Sequence, residues 1–135
     1  MSHLTKVKSQ ITDLTLLKQT LDDLEIQYLE AAQGETLEIR GWNKEKTNAQ
    51  LVLKTGGPYD VGVVVNEVDK TFEFVADWWG VETYTEMTEK QYVNKISQKY
   101  AYNNVMEKVR SKGYSVVEEK NDQKQNIHVV LRKWS

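Results

Sequence analysis

From Thr88 to Gly113 (TEKQYVNKISQKYAYNNVMEKVRSKG) the chain reads as one long helix, set among segments that read as strands, turns and one shorter helix. Both ends are marked. Thr88 and Gln91 have capping-box spacing, and Met87 and Tyr92 stand where a hydrophobic staple closes. Glu86 and Glu89 put negative charge at the positive end of the helix dipole; Lys108, Arg110 and Lys112 complement the other end. Gly113 supplies the left-handed residue that stops a helix. A helix of this length needs a broad apolar surface to lie on, and in a chain otherwise made of strands that surface is a sheet.

The apolar face of this helix shifts along its length. With helical periodicity, Tyr92, Val93, Ile96 and Tyr100 share one side, while Ala101, Val105, Met106 and Val109 lie on nearly the opposite side. Two arrangements satisfy this. The helix breaks near Gln98 to Tyr100, so that both halves face one core, or it stays straight and is covered on two sides. In the second case the cover comes from the sheet together with the Trp78-Trp79 loop or a second subunit. A single core is the preferred outcome, with Trp78 and Trp79 packing beside Tyr100 and Tyr102.

The rest of the chain supplies the sheet. Leu4 to Ile11 reads as a strand, Thr12 or Asp13 as a helix cap, and Leu14, Leu17, Leu21 and Leu24 as the stripe of a first helix. A strand begins at Ile26 to Tyr28. Alternating segments follow around Leu37 and Ile39, Ala49, Leu51 and Leu53, Val61, Val63 and Val65, and Phe72, Phe74 and Ala76. Period two with polar partners predicts an antiparallel sheet with one wetter face. Asn43 to Lys46, Gly56-Gly57-Pro58 and Asn66 to Lys70 read as turns. Tyr114 to Glu118 and Ile127 to Trp134 read as a final hairpin across Asn121 to Asn126. The expected fold is α+β in two layers: two helices on an antiparallel sheet of about six to eight strands. Residues 1–135 form one domain, with no linker, repeat or low-complexity tract.

Composition narrows the function classes. A net charge of −2 argues against broad electrostatic binding to nucleic acid or membrane. The absence of cysteine excludes disulfides, thiolate chemistry and cysteine-ligated metals. No apolar run is long enough to span a bilayer, and the first ten residues lack a signal-peptide core, so a soluble cytoplasmic protein is expected.

Several segments together resemble a known family. They are Met1-Ser2-His3 with Lys6-Val7-Lys8, Tyr59-Asp60-Val61-Gly62, Phe74-Val75-Ala76-Asp77 leading to Trp79, Gln98-Lys99-Tyr100-Ala101-Tyr102, Gly113-Tyr114-Ser115-Val116 and Leu131-Arg132-Lys133-Trp134. In order and nearly end to end they resemble the hypothetical chloroplast reading frame thirty-five family, a domain of unknown function from cyanobacteria, plastids and some of their phages. The chain departs from that pattern at Leu4, where an aromatic is usual, and at Asp122-Gln123, where Asp-Gly is usual. The resemblance implies a cyanobacterial cytoplasm, a plastid stroma or a phage-infected host. It implies no chemistry.

No reactive constellation stands out. His3 and His128 are the two histidines; they meet only if the first and last strands pair, and two surface or strand histidines are the favoured reading. Asp77 precedes Trp78 and Trp79, where burial against indoles can raise a carboxyl pKa and make an acid or base; a strand-end Asp capping a turn is preferred. Gly56-Gly57 lacks the Lys-Ser/Thr and helix of a phosphate loop.

The chain is nonetheless rich in large aromatics, some of them beside Arg40, Arg132 and Lys133. Such residues anchor protein interfaces and also fill cores and sheet edges. The reading reached is a non-catalytic accessory or protein-binding domain with an unidentified protein partner, no cofactor and no metal. It is a monomer or homodimer without membrane insertion. Its binding residues are Trp42, Trp78, Trp79, Tyr100, Tyr102, Arg132 and Trp134. The alternative is a nucleic-acid-binding module using the same Trp and Arg residues, which net charge disfavours. An enzyme with a carboxylate near Trp78 and Trp79 is the third reading.

Overall fold

The structure is a computed structural model that describes the backbone of residues 3–121 and 127–133 and the side chains of 3–42 and 44–113. In chain order the elements are β1 (Leu4–Lys8), α1 (Leu14–Asp23), β2 (Tyr28–Glu30), β3 (Leu37–Arg40), a 3-10 turn (Trp42–Lys44), β4 (Lys46–Ala49), β5 (Leu51–Leu53), β6 (Val61–Val65), β7 (Phe72–Asp77), α2 (Trp78–Thr85), α3 (Glu89–Ser111), β8 (Tyr114–Asn121) and β9 (Ile127–Lys133). A five-stranded antiparallel sheet runs β1-β7-β6-β5-β2, with two separate ribbons, β3-β4 and β8-β9. The class is α+β, as expected.

Side-chain alternation explains the layering. On β5, β6 and β7 one set, Leu51 and Leu53, Val61 and Val63, Phe72, Phe74 and Ala76, points into the main core with Leu17 and Leu21 of α1 and Ile96 of α3. The intervening set turns to the opposite face. There Val52 and Val75 form a smaller core with Ile39, flanked by Leu4, Leu37 and Val64. The expected wetter face is therefore partly covered by the β3-β4 ribbon, which adds a partial third layer. Gly62 permits this: a Cβ there would lie 2.9 Å from the Ala49 Cβ and 3.0 Å from Ile39 Cδ1. A glycine marks where another backbone comes close.

Three local expectations change. The run around Ala49 to Leu53 is not one strand. Lys46–Ala49 pairs with β3, the chain crosses at Gln50, and Leu51–Leu53 pairs with β2 and β6. Trp78 and Trp79 do not form a loop but the first turn of a third helix, α2, capped by Asp77. The first strand stops at Lys8, because Ser9 Oγ donates to the Phe72 carbonyl (2.5 Å) and the Phe72 N–H donates to the Ile11 carbonyl (2.8 Å). Strand β1 pairs with β7 and β9 with β8, so the first and last strands do not pair, the condition under which His3 and His128 would have met.

The capping box at Thr88 and Gln91 is present, and α3 runs unbroken from Glu89 to Ser111. Its buried residues are Tyr92, Val93, Ile96 and Tyr100, then Asn103, Met106 and Val109. Of the two arrangements left open, the break near Gln98 does not occur. Asn103 carries the buried stripe across the gap, while Ala101 is exposed and Val105 is 47% exposed. At the far end α3 lies against β8. No helix among the described residues is long and apolar enough to cross a membrane.

Candidate functional site

Asp77 ends β7 and begins α2, a place where an aspartate is favoured because its carboxylate accepts a free N–H of the first helical turn. Its Oδ1 accepts from the Gly80 N–H (3.3 Å) and its Oδ2 from the Trp42 N–H (2.9 Å). The residue is 0% exposed. Both oxygens are thus engaged by backbone donors, one from α2 and one from the 3-10 turn. Asp77 is therefore a strand-end cap, of a helix rather than of the turn expected, and it makes a second contact 35 residues away in sequence.

Two exposed indoles are carried by the backbone segments that this carboxylate holds. Trp42 is 55% exposed and Trp79 is 67% exposed, although each backbone is fixed within two residues of the Asp77 contact. Gly41 brings the turn close: a Cβ there would sit 2.9 Å from Leu4 Cγ and 3.6 Å from the Asp77 Cβ. The other side of the turn is held by Glu45. Its carboxylate accepts from the Leu4 N–H (2.8 Å) and contacts His3 Nδ1 (2.9 Å), and its carbonyl accepts from the Gly41 N–H (2.9 Å). The Leu4 N–H first, and His3 second, hold the Glu45 carboxyl below the usual carboxylate range.

Trp78 goes the opposite way from its neighbour. One helical step turns it into the core, where its indole N–H donates to the Thr5 carbonyl (3.1 Å) and its ring meets Tyr92 with centroids 5.9 Å apart. Helix α2 is fixed from its other side by two ring-on-glycine contacts. A Cβ on Gly80 would lie 2.2 Å from Tyr59 Cδ2, and one on Gly57 would lie 2.3 Å from Tyr84 Cγ. The turn and the helix that carry the two exposed indoles are therefore both locked from below.

The seven expected binding residues thus divide. Trp42 and Trp79 each lie beside the Asp77 cap, both exposed. Trp78 and Tyr100 are core residues; the Tyr100 hydroxyl accepts from the Thr12 (3.4 Å) and Asp13 (3.1 Å) N–H groups and so seats the start of α1. Tyr102 lines a groove between α1 and α3, away from the indoles. Arg132 pairs with Ser115 in the β8-β9 ribbon, which is not hydrogen-bonded to the main sheet; its side chain, and Trp134 altogether, lie outside the described residues. Sequence reasoning missed Glu45 and Gly41. The signal available for them was weak: one glycine before a Trp, and one acid in a polar turn.

Comparison with known proteins finds relatives of unknown function. Residues 20–130 match the family described as Protein of unknown function (DUF1257). The chain is 32% identical over 99% of its length, and 98% of the relative's, to an uncharacterized protein, ycf35, of Guillardia theta. It is 27% identical, over 99% of its length and 98% of the relative's, to the ycf35 protein of Cyanophora paradoxa. To that of Pyropia yezoensis it is 26% identical, over 100% and 99% of the two chains. No solved structure matches it.

Proposed function

The chain belongs to the DUF1257 family, and on that premise we propose that it is a non-catalytic docking domain that binds another protein through Trp42 and Trp79. The observation that carries this reading is that one fully buried carboxylate holds the backbone N–H groups of Trp42 and of Gly80, next to Trp79, while both indoles stay exposed. Tryptophan is enriched among the residues that dominate binding energy. A side chain whose backbone is already fixed loses little further freedom when a partner covers it. Burying each indole against a partner removes a large apolar surface from water at roughly 25 cal/mol per Å².

The test is affinity capture from a cyanobacterial lysate with two baits, the wild type and Trp42→Ala/Trp79→Ala, matched for folding by circular dichroism. The reading expects a protein retained by the first and lost from the second. Equal retention removes the indoles from the binding role. Retention of nucleic acid instead, with a steep decline as salt rises, moves the chain to the nucleic-acid reading.

A further inference from the structure

The groove between α1 and α3 lies apart from the indoles and has the make-up of a second site. Its volume is about 610 Å³, within the range of small-molecule sites. Leu16 and Met106 give it an apolar floor, and Tyr102 gives it a ring. Lys99 Nζ stands 4.7 Å from the centre of that ring.

The polar groups are unevenly used. Asn103 is 8% exposed, and its amide donates to Thr20 Oγ1 (3.2 Å) and Asp23 Oδ2 (3.0 Å). Its carbonyl oxygen accepts no hydrogen bond among the described residues, and it sits in the groove wall beside the Asp23 carboxylate. The oxygen is open to the groove, where it can accept an N–H from a bound molecule. Among the described residues the charges are engaged only with neutral partners. Lys99 and Arg110 on α3 face Asp13 and Asp23 on α1, yet among the described residues neither cation lies within 4.0 Å of a carboxylate.

We infer that this groove binds a small zwitterion with an apolar body, of the dipeptide class. An ammonium group satisfies the Asn103 carbonyl and the Asp23 carboxylate together. A carboxylate reaches the Arg110 or Lys99 cation. The body covers Leu16, Met106 and the Tyr102 ring. With Asp13, Asp23 and Glu107 against two cations, the groove repels a polyanion and favours a ligand carrying both signs.

The probe is leucyl-leucine, compared with its N-acetyl and its C-terminal amide forms, titrated at millimolar concentration and followed by amide chemical shifts. The expected result is saturable shifts in α1 and α3, weakened roughly tenfold or more by blocking either end. Arg110→Gln and Asp23→Asn each reproduce the loss for the free dipeptide, while Lys90→Gln, on α3 but outside the groove, leaves it unchanged. Both charge variants are conservative in shape, and their folding is checked by the same spectra. No saturable shift, equal binding of the blocked forms, or binding indifferent to both variants overturns the inference. It stands independently of the indole site, because no residue is shared.

Discussion

One face of the five-stranded sheet carries three helices and a continuous core reaching from Ile11 to Tyr100; the other carries a two-stranded ribbon that closes on Ile39, Val52 and Val75. Both faces use the same strands, with alternate residues turned to each side. They differ in what lies on top. A helix layer brings large side chains at every turn and seals the sheet beneath it. A ribbon brings one residue in two and leaves its ends wet. Trp42 and Trp79 sit at such an end, fixed in place but not enclosed. The comparison teaches that order and burial are separable: a buried carboxylate can order a surface that nothing covers.

If the helical face holds the fold, the largest effect comes from removing its fully buried aromatic. Phe74→Ala should cost roughly 3–5 kcal/mol, read as a shift in the chemical denaturation midpoint. A change below about 1 kcal/mol would mean that the core can close over the gap and is less tightly built than its burial indicates.

The next effect sharpens the comparison where the two layers meet. Asp77→Ala removes the α2 cap and leaves the Trp42 N–H without its acceptor. Loss of a cap costs about 1 kcal/mol and a buried unpaired donor another 1–3 kcal/mol, so destabilisation of roughly 2–4 kcal/mol is expected. Asp77→Asn retains one acceptor oxygen and should recover part of that loss. An alanine variant as stable as the wild type would show that the carboxylate does not hold the indole end.

A smaller effect, of opposite sign, lies inside the main core. The Tyr92 hydroxyl is buried with no hydrogen-bond partner among the described residues. Burial raises its pKa, and the nearby Asp60 charge adds to the shift. A folded-state pKa above the unfolded one gives stability that is fully present below the unfolded value, about 10, and is lost as pH climbs beyond it. Tyr92→Phe should be neutral or stabilising by about 1 kcal/mol at pH 7 and should flatten the decline above pH 10. A clear loss of stability at pH 7 would mean that the hydroxyl has a partner, such as a bridging water.

Much of this organisation was legible in the residues. The bounds of α3 followed from Thr88, Gln91 and Gly113, because caps are local chemistry. The alternation on β6 and β7 also held, since Val61, Val63, Phe72 and Phe74 point one way in any antiparallel sheet. Helix α2 was missed because Trp78-Trp79-Gly80 has no periodic stripe; only Asp77 announces it, and aspartate announces turns equally well. The crossing at Gln50 was hidden because period two continues unchanged when a strand leaves one sheet for another. On α3, Asn103 concealed the buried path, since a polar residue seated on Thr20 and Asp23 does not count as core in a hydrophobic pattern. The candidate site was half legible. The indoles were visible as types, but which of Trp78 and Trp79 faces water depends on the start of a helix that the pattern did not show.

The smallest expected stability change accompanies the central claim. Trp42→Ala/Trp79→Ala should leave the denaturation midpoint within about 0.5 kcal/mol of the wild type, as for surface substitutions away from structural features. The most direct measurement is that midpoint, taken on the same preparation used for protein capture. An unchanged midpoint with the bound protein lost is the result predicted here. A midpoint lowered by about 2 kcal/mol or more, with the bound protein retained, would make the two indoles part of the fold rather than its docking surface.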